Sequence, residues 1–301
     1  MNEQGKKSQG TSLRVAESTD LMAFLLAKMG GMSRTSIKSL LVHGRVSING
    51  KQETRYNTVL NKGDEVCITT RAVAIKSLVH KALRMIYEDN DVVVVEKREG
   101  LLTVATSPNS EEETAYSILK EYVRRENPTG GIFIVHRLDR ETSGLLLFAK
   151  NRDAQHFLRD NWHQIVRERT YVAVVEGTLK KPSDTIVTWL TENPKSKRVY
   201  SSFTDNGGKK SITHYKKIGG NIQFSLLELH LETGRTNQIR VQMAAIGIPV
   251  VGDRKYGNGL SHEIDRLALH ARVLAFEHPV TGQTLRFETP IPKEFYKLTK
   301  N

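Results

Sequence analysis

Between Ile132 and Ala149 two short apolar stretches, IFIV and LLLFA, flank a strongly charged turn, and this arrangement constrains the chain more than any other part of it. Each stretch reads as a strand, so the turn stands at the mouth of a strand pair. It holds Arg137, Asp139, Arg140 and Glu141, and Gly144 leads into the second strand. Asp139 therefore lies between two arginines, and a nearby cation favours the ionised carboxylate. That makes it a candidate nucleophile. An ion pair that only closes a turn would leave the same trace, because structural networks also perturb carboxylates.

The complete string decides between these readings. HRLDRETSGLLLFAK, His136 to Lys150, resembles the catalytic signature of RluA-type RNA pseudouridine synthases, HRLDxxTSGLLLFAK. Further along, Arg169-Thr170-Tyr171 resembles the family's element of a basic residue, any residue, then tyrosine. TGRTNQIRVQ, from Thr233, is similar to the family's TGRxHQIRVH. VVGDRKYG and RLALHARVLAFEHPVTG continue the likeness to Gly282, so that it covers roughly residues 13 to 290. The chain departs from the pattern in three places. Asn237 and Gln242 stand where histidines are common, which keeps hydrogen-bonding capacity but removes a titratable ring. Arg98 replaces the proline of a Lys-Pro-x-Gly element whose Lys97 and Gly100 are kept, so a relaxed turn is expected there.

The resemblance implies an α+β catalytic domain over 81–301 with a mixed, largely antiparallel central sheet flanked by helices. It implies isomerisation of uridine already in RNA, without metal or organic cofactor. Asp139 would attack the sugar or stabilise its cation, Arg240 would hold that carboxylate bidentately, and Tyr171 would stack on the displaced uracil, its phenol being also a candidate for proton transfer at the base carbon. Arg137 would fill the space left by the flipped base, or else pair with Glu141 four residues on. Arg140 and Arg235 would contact RNA. Consistently, the sequence has no Walker loop, no GxGxxG and no His/Cys cluster with ligand spacing.

Charge points the same way. With 45 Lys+Arg against 33 Asp+Glu the net charge is +12, which suits a polyanionic partner. An anionic membrane would ask for a basic amphipathic helix, and none is evident. No apolar run approaches the roughly 20 residues of a membrane helix, and the N-terminus carries no signal-like segment. The single cysteine, Cys67, excludes an internal disulfide and sits in the alternating EVCIT. These features suggest a cytoplasmic RNA-binding protein, and a monomer is expected.

Residues 1–12 lack periodic apolar positions and are expected to be disordered. Then Ser18 or Thr19 should cap a helix bearing Leu21, Phe24 and Leu25, and Ser33 a second helix with Ile37, Leu40 and Leu41, closed by Gly44. RVSING, the following segment and EVCIT read as short strands with Asn49-Gly50 and Lys62-Gly63-Asp64 turns. Residues 13–70 resemble a small S4 RNA-binding domain. Residues 1–76 hold 12 Lys+Arg against 6 Asp+Glu, half of the net charge on a quarter of the chain. Arg34, Lys38, Arg45, Lys51 and Arg55 are its candidate phosphate contacts. Residues 71–80 read as a linker.

Farther on, helices are expected over Glu111–Glu126, over Asn151–Val166 with Phe157 and Leu158 inward, and over Asn237–Ile246 capped by Thr236. Large-subunit ribosomal RNA is the expected substrate, with transfer RNA as the alternative. A non-catalytic RNA-binding or ribosome-assembly protein on the same fold is the rival of another class, and keeping Asp139, Tyr171 and Arg240 together argues against it. A metal-dependent nuclease would need convergent carboxylates or histidines, whereas Glu141 is the only acidic residue near Asp139.

Overall fold

The computed structural model describes residues 10–300 apart from 30, 31, 33, 43, 44, 70–77, 79, 106, 108, 109 and 258–263. The first unit contains β1 (Gly10–Arg14), β2 (Thr19–Asp20), α1 (Leu21–Lys28), α2 (Arg34–Val42), β3 (Val46–Ile48), β4 (Lys51–Gln52), β5 (Val59–Leu60) and β6 (Glu65–Thr69). The second begins with β7 (Leu83–Glu88), β8 (Val92–Lys97), α3 (Ala115–Glu126), β9 (Phe133–Ile134), β10 (Ser143–Ala149), α4 (Arg152–Asp160), α5 (Trp162–Ile165) and β11 (Val166–Glu176). It continues with β12 (Ser183–Glu192), β13 (Val199–Ser202), β14 (Lys209–Gly220), β15 (Phe224–Leu231), α6 (Gln238–Ala245), β16 (Leu269–Glu277), β17 (Thr284–Glu288) and α7 (Lys293–Thr299).

In the second unit, strands run in the order β13-β12-β14-β15-β11-β16-β10-β8-β7, with β17 added on β16 and β9 on β10. Every pairing is antiparallel except β10 with β16. The expected mixed, largely antiparallel sheet is therefore present. Side chains on a strand alternate between faces, and the two halves of this sheet use that differently. In β8 and β10, Val93, Val95, Leu146 and Phe148 join one core with α3, α6 and α7, while Val92, Val94, Leu145 and Leu147 join another with α4 and α5. Burial on both faces is why these strands read VVVV and LLLFA. In β15, Leu227 and Leu229 face inward and the intervening Glu228 and His230 face out, as a sheet covered on one side requires.

The first unit has its own four-stranded sheet, β1-β6-β3-β4, and its own core of Leu21, Leu25, Ile37, Leu40 and Leu41. It differs from expectation at the start. Residues 10–14 form β1, paired antiparallel with β6 from Gly10↔Thr69 to Arg14↔Glu65, because a neighbouring edge supplies backbone partners that composition does not reveal. Asp20, rather than Ser18 or Thr19, caps α1 by accepting from Ala23 N at 2.9 Å. The Ser33 and Gly44 caps, residues 1–9 and most of the 71–80 linker lie outside the described residues.

Arg45 is a second correction. Instead of facing solvent it is buried at the junction of the two units, with Nη2 2.8 Å from Asp91 Oδ2. Asp91 shares the β7–β8 turn with Asp89, which accepts from its neighbours Asp91 N and Val92 N and contacts His278 Nε2 at 2.7 Å. Burial opposes the charge of Asp89, but His278 and those backbone donors hold its pKa at about 2. Val280, just beyond His278, sits in the core of the first unit. Asp89, Asp91 and His278 are the one metal-competent triple among the described residues, and the Arg45 guanidinium already supplies its cation.

Other departures are local. Thr114 caps α3, so that helix starts at Ala115. The 151–166 segment breaks at Asn161 into two helices, and Phe157 is exposed while Leu158 is buried.

Candidate active site

The turn carrying Asp139 is clamped on both sides by groups far away in sequence. Thr103 Oγ1 donates to Leu138 O at 2.7 Å and accepts from Leu138 N at 3.1 Å. Lys97, fully buried, donates from Nζ to Arg98 O, Leu101 O and Arg140 O at 2.9, 2.8 and 3.1 Å. Burial depresses the Lys97 pKa to about 8, against the charges of Asp139, Glu141 and Glu99. Gly100, at φ 83°, adds a backbone donor to Arg140 O. The turn expected to relax without proline is thus well tied. Arg98 even uses a bond proline lacks, from its own N–H to Ala82 O at 2.9 Å.

Upstream, His136 accepts from Leu147 N at 3.0 Å and lies 4.8 Å from the Trp162 ring. Downstream, Gly144 at φ 116° passes so close to β16 that a Cβ would come within 2.2 Å of Ala271 O. Only glycine fits. Ser143 Oγ is 2.7 Å from His270 Nδ1, and His270 Nε2 is 2.8 Å from Thr289 Oγ1.

Burial lowers the His270 pKa from 6.5 to about 3, so the folded protein keeps the ring neutral where the unfolded chain protonates it. The stability this gives is complete above pH 6.5 and is lost as pH falls toward 3. About 3 kcal/mol should disappear between pH 6.5 and 4. The melting midpoint of His270→Asn should therefore vary less across that range than the wild-type midpoint.

Asp139 opens on a cleft whose walls come chiefly from three segments. Arg137, Leu138 and Thr142 flank it, Arg169 and Tyr171 enter from β11, and Gly234 to Arg240 close the other side. Tyr171 lies within β11, which begins at Val166. The bareness of Gly234 leaves room for Arg169, whose Nη1 would lie 2.7 Å from a Cβ there. Asn237 adopts the left-handed conformation at φ 54° and makes no side-chain cap, so the helix after it starts at Gln238 without the expected Thr236 bond.

Arg240 is placed differently from expectation. Its fork grips Asp253, Nε to Oδ2 at 2.7 Å and Nη2 to Oδ1 at 2.8 Å. Asp139 Oδ2 is 3.8 Å from Nη1, an ion pair without a hydrogen bond. Burial disfavours the charge on Asp253, yet Arg240 and the N–H groups of Lys255 and Tyr256 hold its pKa below the usual range. The sequence offered no sign that Asp253, 13 residues on, would compete for this arginine.

The remaining candidates divide. Arg137 and Arg235 are exposed and line the cleft, and among the described residues Arg137 forms no ion pair with Glu141. Arg140 pairs with Glu112, 2.8 Å from Nη2 to Oε2, and does not line the cleft. Gln242 is fully buried outside the cleft and ties α6 to the sheet through Thr188, Ser211 and Thr213.

Comparison with known proteins agrees with this geometry. Residues 91–245 match the family model described as RNA pseudouridylate synthase. The chain is 35% identical over 283 residues to the uncharacterized RNA pseudouridine synthase YlyB of Bacillus subtilis, covering 92% of each protein. It is 33% identical over 289 residues to ribosomal large subunit pseudouridine synthase D of Vibrio cholerae, covering 89% of this chain and 86% of the relative. Human RNA pseudouridylate synthase domain containing 1 superposes with a TM-score of 0.57 at 25% identity, over 72% of this chain and 86% of that one. A cleft built on one mixed sheet, relatives alike over nearly their whole length and a family match spanning the clamped turn lead to one conclusion: the chain belongs to the RluA-type RNA pseudouridine synthases, isomerases that act on uridine in RNA.

Proposed function

We propose that this enzyme isomerises uridines of large-subunit ribosomal RNA, with Asp139 as the attacking carboxylate. In the reaction the bond from ribose C1′ to uracil N1 breaks, the base rotates, and C1′ joins uracil C5, which then gives up its proton while N1 gains one. Asp139 attacks the sugar and stabilises its developing positive charge. Tyr171 stacks on the released uracil, and Arg137 stacks into the space the flipped nucleotide leaves, a role its planar guanidinium and its exposure on the cleft rim suit. Arg235 contacts the RNA backbone beside the cleft. Neither metal nor organic cofactor takes part. The observation that carries this reading is the meeting of Asp139, Tyr171 and Arg240 from three separate segments in one cleft.

Residues 13–70 act as an S4-like RNA-binding domain, joined through 71–80 to a catalytic domain over 81–301, in a monomeric cytoplasmic protein. Arg34, Lys38 and Lys51 are exposed, as phosphate contacts must be, and Lys38 Nζ lies 4.8 Å from the Tyr56 ring. Arg45 is excluded by its burial against Asp91. Changing the three exposed residues together to Gln should reduce the slope of log affinity against log salt by up to about 3, since each lost phosphate contact retains its counterion. An unchanged slope would remove the first unit from RNA binding. For the target, pseudouridines mapped in total RNA from a strain lacking the protein should disappear from large-subunit ribosomal RNA. Loss confined to transfer RNA would overturn that assignment.

A further inference from the structure

From the cradle around Arg240 we infer that Asp253 is a positioning residue for the isomerisation, acting through that arginine. The inference rests on Asp139 and Arg240 being the working pair.

A guanidinium has five N–H donors in one plane. Asp253 takes Nε and Nη2 in a bidentate grip at 2.7 and 2.8 Å, and Asn237 Oδ1 accepts from Nη1 at 3.0 Å. The ring of Tyr256 lies 5.3 Å from the guanidinium carbon and covers its face. Plane, tilt and rotation of the group are thereby set. Nη1, held on one side by Asn237, also faces Asp139 Oδ2, at 3.8 Å.

Asp253 is suited to this because its own position is fixed. It is buried, and Oδ1 also accepts from Lys255 N at 2.9 Å and Tyr256 N at 3.0 Å. Tyr256 is fixed in turn: its hydroxyl accepts from Val199 N at 3.1 Å and from Asn237 Nδ2 at 3.3 Å. The grip also offsets most of the arginine charge, so Arg240 contributes direction to Asp139 more than net field. A site held this way loses rate when its geometry slackens by even an ångström.

The test is a double-mutant cycle read as single-turnover rate per folded, RNA-bound enzyme. Asp253→Asn should slow isomerisation by roughly tenfold to a hundredfold with RNA affinity changed little. In an Arg240→Lys background, where no fork remains to be aimed, the same change should cost less than about twofold. Tyr256→Phe, which keeps the ring and removes the hydroxyl, gives a second cycle if Asp253→Asn does not fold. It should show the same dependence on Arg240 with a smaller loss. A general structural role predicts equal losses in both backgrounds, and that result, or an unchanged rate in the Arg240 enzyme, overturns the inference. Asp139→Asn separates the two levels. If that variant is inactive and the cycle is additive, only the role of Asp253 fails; if it turns over normally, the underlying reading fails.

Discussion

Asp139→Asn should abolish isomerisation while RNA affinity stays within a few-fold of wild type. The amide keeps the shape of the carboxylate but cannot attack the sugar or stabilise its positive charge. The turn around it should persist, because its anchors are backbone groups: Leu138 is held by Thr103, Arg140 by Lys97 and Gly100, and Thr142 N donates to Asp139 O at 3.1 Å. Loss of rate should therefore come without loss of fold. Pseudouridine formed in a defined transcript, together with binding measured on the same RNA, checks both halves. Turnover in the Asn variant would remove Asp139 from the mechanism.

Arg240→Met should be inactive and also considerably less stable. If Arg240 had held Asp139 alone, removing it would have left a partly exposed carboxylate in reach of solvent, and folding would have changed little. The carboxylate gripped by the fork is instead Asp253, whose side chain is fully buried. Stranding one partner of a buried pair typically costs about 3–5 kcal/mol. Arg240→Lys should keep the charge, lose the planar fork and fall between wild type and Met in both rate and stability. Adding Asp253→Leu to the Met variant should recover part of the melting midpoint, since no buried charge is then left alone, and none of the activity. A Met variant that melts near wild type would mean that the Asp253 grip carries little energy.

Much of this protein was legible in its residues. The signature from His136 to Lys150, the element ending in Tyr171 and the segment from Thr233 each identify themselves locally, because the chemistry demands particular side chains at particular spacings along one piece of chain. The strands did too. Their apolar runs and alternations follow from which sheet faces are covered, and turn residues such as Asn49-Gly50 and Gly144 record backbone conformations that few other residues adopt. What the tertiary structure alone decided is partnership between distant charges. Arg45 looked like a phosphate contact and is buried against Asp91, Arg240 looked committed to Asp139 and grips Asp253, and Lys97 is the buried clamp behind the turn that carries Asp139. Residue type states that a cation needs acceptors. Which acceptors it meets depends on the packing of segments tens of residues apart, and no local pattern in the chain encodes that.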